Sequence, residues 1–291
     1  MLRRDFTFAK YLELCRRIFD SNYILLTMEQ YFTLRNKPNK FIIIRHDVDY
    51  GNDLSYTLKM ARKEAEMGIT ATYYFRTHDD VFKPDIIREI ADLGHEIGYH
   101  YDVLGEAEGD YDKGIMLFKT ELAKLRQIYD VKTMSMHGGP LIKGMNAATI
   151  SGMLHILGNV IRMRKVFVPW ASKDLWKKYD FRKYGIIGDA YLSINFNDVA
   201  YISDTNRSWS NTKHRLNDYV DGNTNVYIRN TDDLIGIIER EDIQRMVILT
   251  HPPNWRDEFG DWLKWLVIQK IRNTGKACLK TYWKRDGSDG S

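Results

Sequence analysis

The apolar residues of this chain alternate between two spacings. Phe41-Ile42-Ile43-Ile44 is an unbroken apolar run, the pattern of a strand buried on both faces. A helical spacing follows over about 53 to 66 and ends at Gly68, and an apolar strand pattern returns at 70 to 76. A helix over 84 to 93 is opened by Pro84 and closed by Gly94; strand 95 to 98, helix 113 to 129 and strand 132 to 136 complete the series. Strands and helices alternating at this cadence predict an α/β protein with a mainly parallel sheet or a β/α barrel. Residues 7 to 19 carry Phe8, Tyr11, Leu12, Cys15 and Ile18 at helical spacing, and a second helix is expected from Met28 to Leu34. Residues 1–40 therefore read as a helical extension packed on the body.

The regularity breaks after Pro140. Asn146 is placed to cap a helix with Ile150, Met153, Leu154, Leu157, Val160 and Ile161 on one face, followed by Arg162, Arg164, Lys165 and Trp170. The expectation is a helix within about 144–170 that packs on the body or serves as a lid; a homodimer contact or a peripheral membrane contact through 146–170 are the alternatives. Gly185 to Ile187, Val199 to Ile202, Val226 to Ile228 and Met246 to Thr250 read as short strands, and Asp261 to Ile271 as a helix. A tail over 276–291 closes the chain.

Composition narrows the function classes. The 291 residues are 44% hydrophobic and 13% aromatic, ample for a full core. Forty-three basic against 39 acidic residues give +4, too balanced for a surface committed to nucleic acid. The two cysteines, Cys15 and Cys278, form no framework or CxxC pair, and neither a secretory signal nor a bilayer-spanning run is visible. A cytoplasmic protein is expected.

The chemistry gathers at the strand ends. Arg45-His46-Asp47-Val48-Asp49, His95-Glu96-Ile97-Gly98-Tyr99-His100, Met136-His137-Gly138-Gly139-Pro140 and Leu249-Thr250-His251-Pro252-Pro253 bring carboxylates and imidazoles to the edge where ligands of such folds bind. Alternation projects Asp47 and Asp49 to one side of their strand. Two carboxylates that close are accommodated if one ligates a divalent metal and the other stays free as a base; the alternative is an ion pair with Arg45 or a nearby lysine. His95 and His100 are an odd offset apart and face opposite ways, so His100 is the candidate ligand and His95 structural. His137 precedes two glycines whose backbone permits close approach to a ligand, and His251, at the end of a buried strand, is suited to protonate a leaving group.

In this order, the segments resemble the polysaccharide deacetylase family, also called NodB-homology proteins or family 4 carbohydrate esterases, over roughly residues 41 to 275. The most specific likeness is Gly94 through His100, with His100 in the place of the family's first metal histidine. The resemblance implies a distorted (β/α)7-type barrel, with 41–275 as the catalytic body, Asp47 as catalytic base, Asp49 as metal aspartate and His251 as general acid. Leu104 stands where the family's second metal histidine belongs. His137 is the replacement chosen here, with Asp102 and Glu106 as reserves. The set RHDVD, HEIGYHYD, MHGGP and DLWKKYD resembles a divergent cytoplasmic branch associated with O-antigen and other surface-polysaccharide clusters, relative to which the segment at about 144–170 is an insertion expected over the mouth of the site.

The resemblance thus implies a metal-dependent hydrolase that removes an N-acetyl group from an amino sugar, nucleotide-linked, lipid-linked or in an oligosaccharide. Zinc suits two histidines and a carboxylate, as do iron, cobalt or nickel. Amides near Gly138 or Gly139 would steady the oxyanion, with Arg45 on the substrate side and Tyr74, Tyr99, Tyr101 and Trp255 as the sugar platform. Two other readings remain: a glycosyltransferase using Asp47 and Asp49 as a DxD site, and an inactive barrel that binds a glycan or a partner.

Overall fold

The computed structural model describes residues 4–51, 54–137, 172–209, 220, 222 and 226–270. The expected insertion at 144–170 and the tail at 276–291 lie outside them. Strands β1 (Ile24–Leu26), β2 (Phe41–Val48), β3 (Thr72–Phe75), β4 (Glu96–Tyr101), β5 (Thr133–Met136), β6 (Gly188–Asp189), β7 (Ala200–Ser203) and β8 (Arg245–Thr250) form one sheet. Its order is β6-β5-β4-β3-β2-β8-β7, with every pairing parallel and β1 added beside the start of β2. The two ends of this path approach each other. Tyr191, just after β6, meets Tyr201 of β7 with their hydroxyls 3.2 Å apart, so the sheet curls into the distorted, incompletely closed β/α barrel that was expected.

Curling gives the sheet two cores. Phe41 and Ile43 of β2, Tyr74 of β3 and Val247 and Leu249 of β8 fill the inside. Ile42, Ile44 and Val48, of opposite parity, face the surrounding helices. The continuous apolar run of β2 is needed for this reason: both faces are dry, and each buried isoleucine is worth about 1.5–3 kcal/mol. Gly98 on β4 leaves room for the Tyr74 ring, since a Cβ there would lie 2.3 Å from a ring carbon.

The helices are α1 (Phe8–Phe19), α2 (Met28–Thr33), α3 (Leu54–Glu66), α4 (Pro84–Asp92), α5 (Val103–Glu106), α6 (Tyr111–Arg126), α7 (Thr231–Arg240) and α8, helical over 259–270. Capping explains several starts. The Thr7 hydroxyl accepts the Lys10 N–H, Thr27 and Gln30 form a capping box, and Asn230 accepts the Asp233 N–H. Gly94, at φ +93°, ends the turn after α4 in a conformation a side chain would strain.

Three local expectations are corrected. The N-terminal extension is not purely helical, because Ile24–Leu26 pairs with Phe41–Ile43 and extends the sheet. Residues 226 to 228 form no strand; Ile228 is buried, but its backbone joins no ladder, and helix α7 follows instead. The strand expected at Gly185 to Ile187 begins at Gly188. At the end of the barrel remote from the site, buried Glu96 accepts the Glu29 N–H and the Thr72 hydroxyl, each at 2.8 Å, and the Thr133 hydroxyl. This carboxylate ties the start of α2 to β3, β4 and β5, where a helix N-terminus favours negative charge.

Candidate active site

Side-chain parity on β2 sends Arg45, Asp47 and, one step past the strand, Asp49 to the inner face, and sends His46 outward. On β4 the same rule turns His100 inward between Tyr99 and Tyr101, and His137 leaves β5 on the inner side. Donor atoms of Asp49, His100 and His137 then lie within 4.8 Å of one another, the set expected to hold a metal. His100 Nε2 is 3.1 Å and His137 Nε2 3.5 Å from the same oxygen, Asp49 Oδ1.

The remaining ring nitrogens decide what this cluster suits. His100 Nδ1 lies 3.1 Å from the Ser135 carbonyl, which only accepts, so Nδ1 carries the proton. His137 Nδ1 faces Asp102 Oδ2 at 3.4 Å, and Ser172 donates its hydroxyl to the other oxygen of Asp102 at 3.0 Å. In the neutral rings both Nε2 lone pairs are thereby aimed at a carboxylate oxygen. Three acceptors converging on one point repel unless a cation lies between them, and outer partners that fix the Nδ1–H tautomer are the usual support of metal-ligating imidazoles. The residues therefore fit a divalent cation. Burial alone would raise the Asp49 carboxyl; where the two rings carry the positive charge themselves in place of a cation, they and His251 outweigh it and hold the carboxyl well below the usual carboxylate range.

Leu104 is wholly buried in the outer core on α5. The side chain that meets Asp49 and His100 is His137, not one from position 104. Of the two reserves, Asp102 supports His137 from behind, while Glu106 accepts from His78 Nε2 at 2.7 Å and lies 3.5 Å from Arg76.

Asp47 lies beside the cluster, 3.8 Å from His100 Nε2. Its Oδ2 accepts Arg45 Nη2 at 2.9 Å, and Oδ1 is buried with no partner among the described residues. The ion pair with Arg45 weighed in the sequence is thus present. It corrects the placement of Arg45 on the substrate side: the guanidinium is fully buried, stacks on Tyr191 at 4.6 Å and donates to the Tyr191 hydroxyl.

His251 is held by a residue the sequence reading missed. Asp204 accepts the His251 backbone N–H at 3.1 Å, its Nδ1 at 2.6 Å and the indole N–H of Trp255 at 3.0 Å. Burial alone would push the imidazole down; Asp204, together with Asp49 and Asp47, lifts it to about 10, so the ring is protonated at neutral pH. A signal existed, since Ser203-Asp204 is a polar step directly after the strand expected at Val199 to Ile202.

The aromatic platform is corrected throughout. Tyr74 lies inside the barrel with its hydroxyl on Thr133, Tyr99 bonds Glu121, and Tyr101 bonds Asp189 and the Trp176 indole on the outer side of β4. Trp255 is buried among Phe6, Tyr11 and Trp209. All four are fully buried and none can offer a face to a sugar. Gly138 and Gly139 lie outside the described residues.

No family model and no curated protein matches the chain. Among solved structures it is similar to a family 4 carbohydrate esterase from Streptomyces lividans in complex with acetate, at 13% identity over 82% of this chain and 91% of that one, TM-score 0.38. A family 4 carbohydrate esterase from Bacillus anthracis is similar at 13% identity over 91% and 86%, TM-score 0.36. A family 4 pseudoenzyme from Bacillus anthracis aligns at 12% identity over 82% of this chain and 63% of that one, TM-score 0.37; this chain spans less than two thirds of its length. Likeness this distant assigns neither activity nor substrate.

Proposed function

We propose that the protein is a metal-dependent hydrolase that removes an N-acetyl group from an amino sugar during surface-polysaccharide assembly. The observation that carries the hydrolytic part is the meeting of two Nε2 lone pairs on Asp49 Oδ1, beside a carboxylate with a free oxygen and a protonated imidazole. The N-acetyl sugar and its pathway are supported by the resemblance of the strand-end motifs.

Asp49, His100 and His137 would hold the divalent cation, zinc by default, with iron, cobalt or nickel suited to the same donors. Such an ion supplies Lewis acidity, polarising an acyl carbonyl and making water a better nucleophile. Asp47 Oδ1 takes a proton from the attacking water while Arg45 fixes the carboxylate through Oδ2. His251, oriented by Asp204 at Nδ1, delivers a proton from Nε2 to the amine nitrogen as the C–N bond breaks. Water and amide are thereby converted to acetate and amine. A DxD glycosyltransferase would need both aspartates on one nucleotide-bound cation, and the grip of Arg45 on Asp47 opposes that use.

The test is acetate release from free, nucleotide-linked, lipid-linked and oligomeric N-acetyl sugars, with metal content measured on the same preparation. Stoichiometric transition metal and release lost in Asp47→Asn support the reading. Metal-free protein that binds sugars without releasing acetate would replace it with an inactive binding barrel.

A further inference from the structure

The inward side of β2 and β8 leads to the proposed chemistry, but their outward side ends in a polar pair to which that chemistry gives no part. The outward pairs across these strands are Ile42 with Met246, Ile44 with Ile248 and His46 with Thr250. Apolar contacts like the first two do not by themselves distinguish this register from one shifted by two residues, which keeps every side chain on its own face. His46 with Thr250 does. His46 Nδ1 lies 2.6 Å from Thr250 Oγ1, and no other outward residue of β8 carries a hydroxyl.

The far edge of the imidazole is held as well. His46 Nε2 is 2.9 Å from Glu64 Oε1 of α3, and Glu64 also accepts the hydroxyls of Tyr73 on β3 and Tyr11 on α1. The Tyr73 ring packs on the imidazole with centroids 4.3 Å apart. An anionic Glu64 only accepts, so in the neutral ring Nε2 carries the proton and Nδ1 accepts from the Thr250 hydroxyl. His46, Glu64 and Thr250 are all fully buried. Burying a carboxylate and an imidazole is costly, and apolar side chains of similar volume would pack here at least as well. A polar network adds something packing does not, a directional bond between two strands. The residues that follow in the chain are Asp47 and His251, the base and the acid of the proposed reaction, so this bond lies one residue behind both.

On the strength of the hydrolase reading, we propose that His46 and Thr250 are positioning residues, whose hydrogen bond fixes β8 against β2 and thereby sets the Asp47 carboxylate relative to the His251 imidazole. Three variants of the full chain test this. Thr250→Val keeps the shape and removes the hydroxyl, Thr250→Ser restores it, and His95→Gln weakens the same outer cluster at a residue bonded to neither strand. Each is assayed for acetate release from the N-acetyl sugars named above and for metal content, and its histidine ring nitrogens are followed by ¹⁵N NMR. Thr250→Val should lower kcat about ten- to a hundredfold with KM and metal content unchanged, and should shift the ring signals of His251 as well as those of His46. Thr250→Ser should recover most of the rate, and His95→Gln should keep it. An active parent whose Thr250→Val variant loses no more kcat than His95→Gln, or leaves the His251 signals unmoved, would overturn the proposal while the hydrolase reading stands. A parent that releases no acetate from any of these sugars would overturn that reading and the proposal with it.

Discussion

The Asp204 carboxylate holds His251 twice, at its backbone N–H and at its ring Nδ1, and is itself fully buried. One side chain thus sets both the position and the charge of the candidate acid. Asp204→Asn keeps the shape and removes the anion that lifts His251 to about 10. The variant should lose about 10²–10⁴-fold in kcat, the usual worth of a general acid. Because the acid must be protonated, the alkaline limb of its pH–rate profile should move to lower pH. A uniform fall in rate with an unmoved limb would mean that Asp204 is only structural.

Much of this arrangement was legible in the sequence. The β-branched run of β2 located the central strand, and the period of two placed Asp47 and Asp49 together and His95 opposite His100. His95 accordingly sits in the outer layer, its Nε2 on the Ala61 carbonyl and its Nδ1 accepting the Ala71 N–H. The same parity would have excluded Tyr99 and Tyr101 from the site, since they alternate with the inward His100. Asp204 was hidden for another reason: its link to His251 joins two strands 47 positions apart, and local pattern carries no record of which strands become neighbours. Helix α7 did leave local signals, an Asn cap, two acids in the first turn and Leu234, Ile235 and Ile238 on one face, masked by the β-branched residues just before it.

Leu104 tests whether His137 is the third ligand. Leu104→His would bring the histidine that the motif resemblance leads one to expect to a fully buried position in the outer core. It should destabilise the protein by about 2–5 kcal/mol and leave metal content unchanged. His137→Ala should retain the fold and lose the bound metal. Elemental analysis of both, with urea unfolding of the first, checks this; metal restored to His137→Ala by adding Leu104→His would show that the site can be rebuilt from α5.

Arg45 and Asp47 are a buried pair, and removing one partner leaves the other charged without compensation. Arg45→Met should cost about 3–5 kcal/mol, and Arg45→Met/Asp47→Asn clearly less, because the stranded anion is gone. Arg45→Lys should rescue poorly, since a single ammonium cannot reproduce both the bond to Asp47 and the stack on Tyr191. Unfolding midpoints in urea give these differences; a single variant within about 1 kcal/mol of the parent would show the pair to be solvated.

Stability should fall on the acid side through a cluster on the outer face of the sheet. Glu64 accepts the Tyr73 hydroxyl at 2.6 Å, His46 Nε2 at 2.9 Å and the Tyr11 hydroxyl. Burial alone would raise its carboxyl, but His46, His95 and Tyr11 hold it below the ordinary 4.5. Burial likewise pushes His95 below 6.5, against the pull of Glu64. In both cases the unfolded chain binds the proton more readily, so stability rises with pH between the folded and unfolded values. The folded state should therefore start to weaken as pH drops below 6.5, when His95 must remain neutral, and weaken further below 4.5 as Glu64 is forced to take up a proton. His95→Gln should flatten the first slope and Glu64→Gln the second, each at the cost of a lower plateau near neutrality. Unfolding free energies measured by denaturant at successive pH values resolve the two steps, and a curve for His95→Gln that runs parallel to the parent between 6.5 and 4.5 would remove this histidine from the account.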